Sequence, residues 1–154
     1  MQLKRVVVTG LGALTPIGNN IKEYWDALIS GKSGAAPITY YDTEKHKTKF
    51  ACEVKNFNIE EFIDRKESRR MDKFAQYAIV AGEQAIADAG ILDSNINKQR
   101  VGVIWGAGIG GLETFQEEVL SYAKGDGTPR FNPFFIPKMI ADIAPAHISM
   151  RNGY

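Results

Sequence analysis

The sequence predicts an α/β fold, and three observations carry that prediction. Two short apolar runs without alternation, Arg5 to Thr9 and Val101 to Trp105, read as buried strands. Each run leads into a glycine-rich turn. The segments around them repeat apolar residues at three-four spacing, the period of an amphipathic helix. The resulting order is strand, helix, helix, strand, helix, helix. No internal repeat, low-complexity tract or interdomain linker breaks residues 1–154 into separate domains.

In chain order, Val6, Val7 and Val8 call for apolar contact on both faces of the first strand. A turn through Gly10 and Gly12 ends in Thr15-Pro16-Ile17-Gly18. Asn20 then offers an N-cap, with Glu23 three residues on as in a capping box. The helix that follows puts Ile21, Tyr24, Trp25, Leu28 and Ile29 on one face and closes at Gly31, a C′ residue. Ser33 to Glu67 reads as irregular and polar, with a short helix near Ile59 to Ile63.

The strongest periodicity runs from about Ser68 to Ala89. Met71, Phe74, Ala75, Ala78, Ile79, Gly82, Ala85, Ile86 and Ala89 form its stripe, and Gly90 closes it. The small residues on that stripe let the helix lie close to another backbone. After the second strand and its turn, Leu112, Phe115, Val119 and Leu120 define a helix ended by Lys124-Gly125-Asp126-Gly127. Asn132 to Pro137 carries two prolines and reads as neither helix interior nor central strand. A last helix is expected from about Pro137, at N1, toward Met150.

Composition narrows the function classes. The chain is 44% hydrophobic, enough for one ordinary core, and its 19 Lys plus Arg against 18 Asp plus Glu leave a net charge of +1. That balance gives no global attraction to nucleic acid or to a membrane. The single cysteine, Cys52, cannot form an intramolecular disulfide, which fits a reducing, cytoplasmic setting. The apolar run after Lys4 and Arg5 is too short for a signal peptide, and no stretch approaches the roughly 18 apolar residues of a membrane span.

Several motifs resolve to bland readings. Gly10-Leu11-Gly12 after a strand invites a dinucleotide site, but Pro16 and Gly18 separate it from its helix. Close packing of the turn beneath a neighbouring backbone fits better. Gly106 to Gly111 lacks the Gly-Lys-Ser/Thr ending of a phosphate loop, and Ile109 and Leu112 suit the wall of an apolar pocket. Cys52 has no activating neighbour in sequence and reads as a structural thiol. His46 and His147 are isolated from other ligand types, so no metal site is expected.

Arg65, Lys66, Arg69 and Arg70 recur at i, i+1, i+4 and i+5, so helical continuation gathers them on one face. Two readings stand side by side: a solvated helix start, and a surface that docks an acidic partner. Cations oppose the dipole at a helix N-terminus, which favours the second. Nucleic acid fits poorly, because no aromatic residues interleave with the cations.

Arg5-Val6-Val7-Val8-Thr9-Gly10-Leu11-Gly12, Lys32-Ser33-Gly34 and Lys49-Phe50-Ala51 resemble the start of a β-ketoacyl-acyl carrier protein synthase. Asp64-Arg65-Lys66-Glu67-Ser68-Arg69-Arg70-Met71-Asp72, Gly106-Ala107-Gly108-Ile109-Gly110-Gly111-Leu112 and Pro133-Phe134-Phe135-Ile136-Pro137 narrow the resemblance to the type II elongating group. The type I group usually has glycine where Ile109 stands. The resemblance covers the chain from end to end.

What it implies is the amino-terminal part of a thiolase-like fold, an incomplete first βαβαβαββ half. It also implies an acyltransferase of fatty-acid elongation, acting by decarboxylative condensation, without metal or other cofactor. The partners implied are acyl carrier protein with acyl or malonyl cargo and a second copy of the whole enzyme. The family's nucleophilic cysteine belongs to a turn a few residues beyond Tyr154, and its two histidines lie later. No catalytic residue is therefore assigned within 1–154, which alone is expected to be inactive, and either unstable or packed against a partner copy. By resemblance, Ile109 gates the acyl pocket, while Leu112 and Phe134 line it across the dimer interface. Arg65, Lys66, Arg69, Arg70 and Arg130 belong to the carrier-docking surface. Two alternatives stay open: a non-catalytic carrier-binding protein, and a chain-length-setting partner subunit.

Overall fold

The computed structural model describes residues 3–92 and 95–154. Along these run α1 (Ile21–Ile29), β1 (Ala36–Pro37), β2 (Phe50–Ala51), α2 (Arg65–Ser68), α3 (Lys73–Asp88), α4 (Leu112–Lys124), α5 (Phe135–Met139) and α6 (Ile143–Asn152), with short 3-10 helices at Ile59–Glu61 and Lys98–Arg100. The chain divides into two compact units: Met1–Phe57 with Glu83–Ser94, and Asn58–Gly82 with Asn95–Tyr154.

In the first unit, α1 begins and ends as its sequence dictates. The Asn20 side chain accepts the Glu23 N–H at 2.9 Å, and the Glu23 carboxylate accepts the Asn19 N–H at 2.8 Å. Gly31 takes a left-handed φ of 67° just past the C-cap, where a Cβ would be strained. Of the helix, only Ala27 is buried; Trp25, Leu28 and Ile29, read as an apolar face, are exposed. β1 and β2 pair antiparallel, Ala36 opposite Ala51 and Pro37 opposite Phe50. The end of α3 carries the turn after Thr9. A Cβ on Gly10 would overlap the Ala85 carbonyl and the Ala89 backbone. The Leu11 N–H donates to Asp88 at 2.8 Å, and the Ala13 N–H to Gln84 at 3.0 Å. The close-packing reading of that turn is what the geometry bears out.

The second unit holds most of the buried apolar residues. Ile63, Met71, Ala75, Ala78, Ile79 and Val80 are buried there, as are Ala144 and Ile148 of α6. Full burial of a residue such as Ile79 contributes about 1.5–3 kcal/mol. Gly82 lets α6 approach, since a Cβ there would lie 2.9 Å from Ile148 Cδ1. Along α4 and α5 the rings of Tyr122, Phe131, Phe135 and Phe115 follow one another at centroid separations of 5.5, 5.8 and 6.2 Å.

Three expectations need correction. The segments Arg5–Thr9 and Val101–Trp105 form no ladder among the described residues, and they are not buried: Val6 is 89% and Ile104 96% exposed. A strand apolar on both faces requires neighbours on both edges and cover on both sides, and the described residues supply neither. The helix expected from Ser68 breaks at Arg69–Asp72, where Asp72 starts α3 afresh: its Oδ1 accepts the Phe74 N–H at 3.4 Å, while its Oδ2 accepts from Thr114 of α4. The last helix is two helices, each beginning two residues before a proline, Pro137 or Pro145. Within the first turn a residue has no i−4 acceptor to lose, so proline is tolerated at this third position as well as at N1.

Candidate functional site

Two features of the second unit carry chemistry: a cationic segment at α2 and an apolar groove at the start of α4. Asp64 caps α2, accepting the Lys66 N–H at 2.7 Å and the Glu67 N–H at 3.4 Å. α2 stops at Ser68, so Arg69 and Arg70 sit on the turn beyond it rather than on a continued helical face. Arg65 pairs with Glu60 at 3.2 Å, and Glu67 is engaged by Arg151 at 2.9 Å. Lys66, Arg69 and Arg70 are exposed without an ion pair among the described residues. They form the uncompensated part of the patch.

The remaining predicted residues divide. Phe134 lies under Arg70, whose guanidinium carbon stands 4.9 Å from the ring centroid. Arg130 pairs with Asp126 four residues before it, at 3.4 Å. Ile109 and Leu112 come together with Gly111, Phe115, Met139 and Ile140 around an open apolar groove of about 300 Å³. Phe134 is outside that lining, on the cationic side.

Between the two features sits Asp72, 8% exposed. Its Oδ2 accepts both the N–H of Thr114, at 3.1 Å, and the Thr114 hydroxyl, at 2.6 Å. α4 begins after Gly111, which has no side chain to cap it. Asp72 therefore caps α4 from 42 residues away in sequence. The signal available in the sequence was a helix start lacking a local cap, with Asp72 present only as a letter in the motif Arg69-Arg70-Met71-Asp72.

The reactive side chains considered earlier are dispersed. Cys52 is a free, exposed thiol just past β2, and His46 packs at a tilt against Tyr41, ring centroids 5.3 Å apart. His147, half-buried in α6, is held below the usual imidazole range mainly by burial; Arg151 adds to this and Glu67 opposes it. Among the described residues no group of three or more His, Cys, Asp or Glu is arranged to hold a metal ion, and no helix is long and apolar enough to cross a membrane.

Comparison with known proteins gives this geometry a context. The family model for the amino-terminal domain of β-ketoacyl synthases matches residues 3–154. A 3-oxoacyl-[acyl-carrier-protein] synthase 2 of Staphylococcus aureus (strain COL) is 50% identical over 153 residues, which are 99% of this chain and 36% of that protein. The protein of the same name from Synechocystis sp. is 44% identical over 153 residues, with the same two shares. The solved structure of the ishigamide ketosynthase/chain length factor superposes with a TM-score of 0.77 at 28% identity, over 95% of this chain and 36% of that one. The chain thus spans 36% of the length of these relatives.

Proposed function

Because residues 3–154 place this chain in the β-ketoacyl synthase family, as its amino-terminal domain, we propose that it serves a 3-oxoacyl-acyl carrier protein synthase of fatty-acid elongation. In that reaction the acyl group is held as a thioester on an enzyme cysteine. Loss of carbon dioxide from a malonyl thioester generates an enolate, its carbon attacks the acyl carbonyl, and the thiolate departs. The residues here bind and orient: Ile109 and Leu112 form part of the acyl wall, with Phe134 contributing across a dimer interface. Lys66, Arg69 and Arg70, flanked by Arg65 and Arg130, receive the acidic carrier. The whole enzyme is read as a cytoplasmic homodimer, and the exposed apolar surface of Leu112 and Phe115 is in keeping with a subunit interface.

The observation that carries the reading is the apolar groove at Ile109 and Leu112 in the same compact unit as three unpaired cations. A fatty acyl chain requires the first and an acidic protein the second. The test is a complete synthase carrying this sequence with Arg69→Glu and Arg70→Glu together. Reversing two interface charges is expected to raise KM for the acyl carrier about tenfold, most strongly at low salt. Turnover with a carrier-free acyl thioester should stay unchanged. A carrier KM indifferent to both reversals would sink the docking assignment.

A further inference from the structure

We infer that Asp72 is a positioning residue: through Thr114 and Gly111 it fixes the glycine turn that carries Ile109, and so sets which acyl lengths the synthase accepts. The inference rests on the proposed acyl-wall role of Ile109. It adds a residue to which neither the sequence motifs nor the docking surface gives a task.

The second glycine turn is held at one end only. A Cβ on Gly106 or Gly108 would meet nothing within 4 Å. At the other end, Gly110 has a φ of 89°, and a Cβ there would overlap the Met139 carbonyl. The Gly111 N–H donates to that same carbonyl at 2.9 Å. A Cβ on Gly111 would overlap the Lys138 carbonyl and stand 2.9 Å from Asp72 Oδ2. Gly110 and Gly111 are thus held against the end of α5, and the Asp72 carboxylate, bonded to Thr114 at the start of α4, leaves no room for a side chain at Gly111. Ile109, 70% exposed, is the side chain at the junction of the open half and the clamped half. Its placement at the groove depends on that clamp.

A carboxylate suits the task better than a neutral group. Two donors converge on one oxygen, and the N-terminal end of the 13-residue α4 favours negative charge. The residue that donates to it, Thr114, is buried, so loss of the carboxylate leaves buried donors unmet. The carboxylate also lies two residues after Arg70, whose guanidinium covers Phe134.

Thr114→Val in a complete synthase removes one of the two donors without changing side-chain shape. It is expected to speed hydrogen exchange at the Gly111 amide about tenfold. It should also lower kcat/KM for a dodecanoyl primer about tenfold, because a long chain depends on the whole wall. For a butyryl primer the change should stay within about twofold. Thr114→Ser restores the hydroxyl and should restore both readouts. Asp72→Asn keeps the shape but not the charge, and is read in the same way where Thr114→Val does not fold. Unchanged exchange overturns the clamp. Faster exchange with an unchanged dodecanoyl-to-butyryl ratio, while Ile109→Ala shifts that ratio, overturns the specificity role and spares the acyl wall. A ratio moved by neither Thr114→Val nor Ile109→Ala removes the acyl-wall reading and this inference with it.

Discussion

The turn at Gly10–Gly12 is pressed against the backbone of α3 near Ala85 and Ala89, with the Asp88 and Gln84 side chains taking its N–H groups. The turn at Gly106–Gly111 is open around Gly106 and Gly108 and clamped only at Gly110 and Gly111. In sequence the two read alike: an apolar run, then glycines. In space the first is a packing joint, and the second is closely packed only at Gly110 and Gly111. Glycine in a turn marks where backbone must pass closely or bend unusually, but its surroundings decide which of these it does. Only the second arrangement leaves a large side chain, Ile109, exposed beside an apolar groove.

Substitution at the fixed points separates the two kinds of turn. Gly110→Ala carries two penalties: a positive φ, at about 1–2 kcal/mol, and overlap with a backbone carbonyl, at about 1–3 kcal/mol. The sum, about 2–5 kcal/mol, should appear as a lower urea midpoint with unchanged slope in a complete synthase. Gly10→Ala carries only the overlap, so its loss should stay at about 1–3 kcal/mol. Should Gly10→Ala prove the more damaging, the left-handed backbone would not be what distinguishes the second turn.

What could be read from the sequence was local. The Asn20 cap, Gly31, Gly90 and the end of α4 appear where residue chemistry placed them, because each depends on neighbours within about one helical turn. The small-residue stripe of α3 likewise found its close approaches at Gly10 and Ile148. What failed depended on distant residues. Val6–Val8 has strand composition, yet a strand exists only where another chain segment offers hydrogen bonds. The cap of α4 requires knowing that Thr114 will claim a carboxylate 42 residues earlier. Pro137 predicts one last helix running toward Met150, whereas two helices begin, each two residues before a proline. Of the candidate site, Ile109 with Leu112 and the cations near α2 could be located from motif position. The pairing of Phe134 with Arg70 and the role of Asp72 could not, since no local pattern encodes either.

The smallest effect tests the side-chain anchors of the two turns. Asp88 and Asp72 each present Oδ2 to a backbone N–H, at 2.8 Å to Leu11 and 3.1 Å to Thr114. The Asp88 contact is exposed and the Asp72 contact buried. When Asp88 becomes alanine, water can satisfy the Leu11 N–H, so the loss should stay below about 1 kcal/mol. Thr114 has no such relief, because its surroundings exclude the replacement donor or acceptor that water would be. The first turn should then survive loss of its carboxylate, held by the close approach of Gly10 to α3. A urea midpoint for Asp88→Ala lower than that for Gly10→Ala would reverse this order. It would make the first turn, like the second, a structure held by one carboxylate.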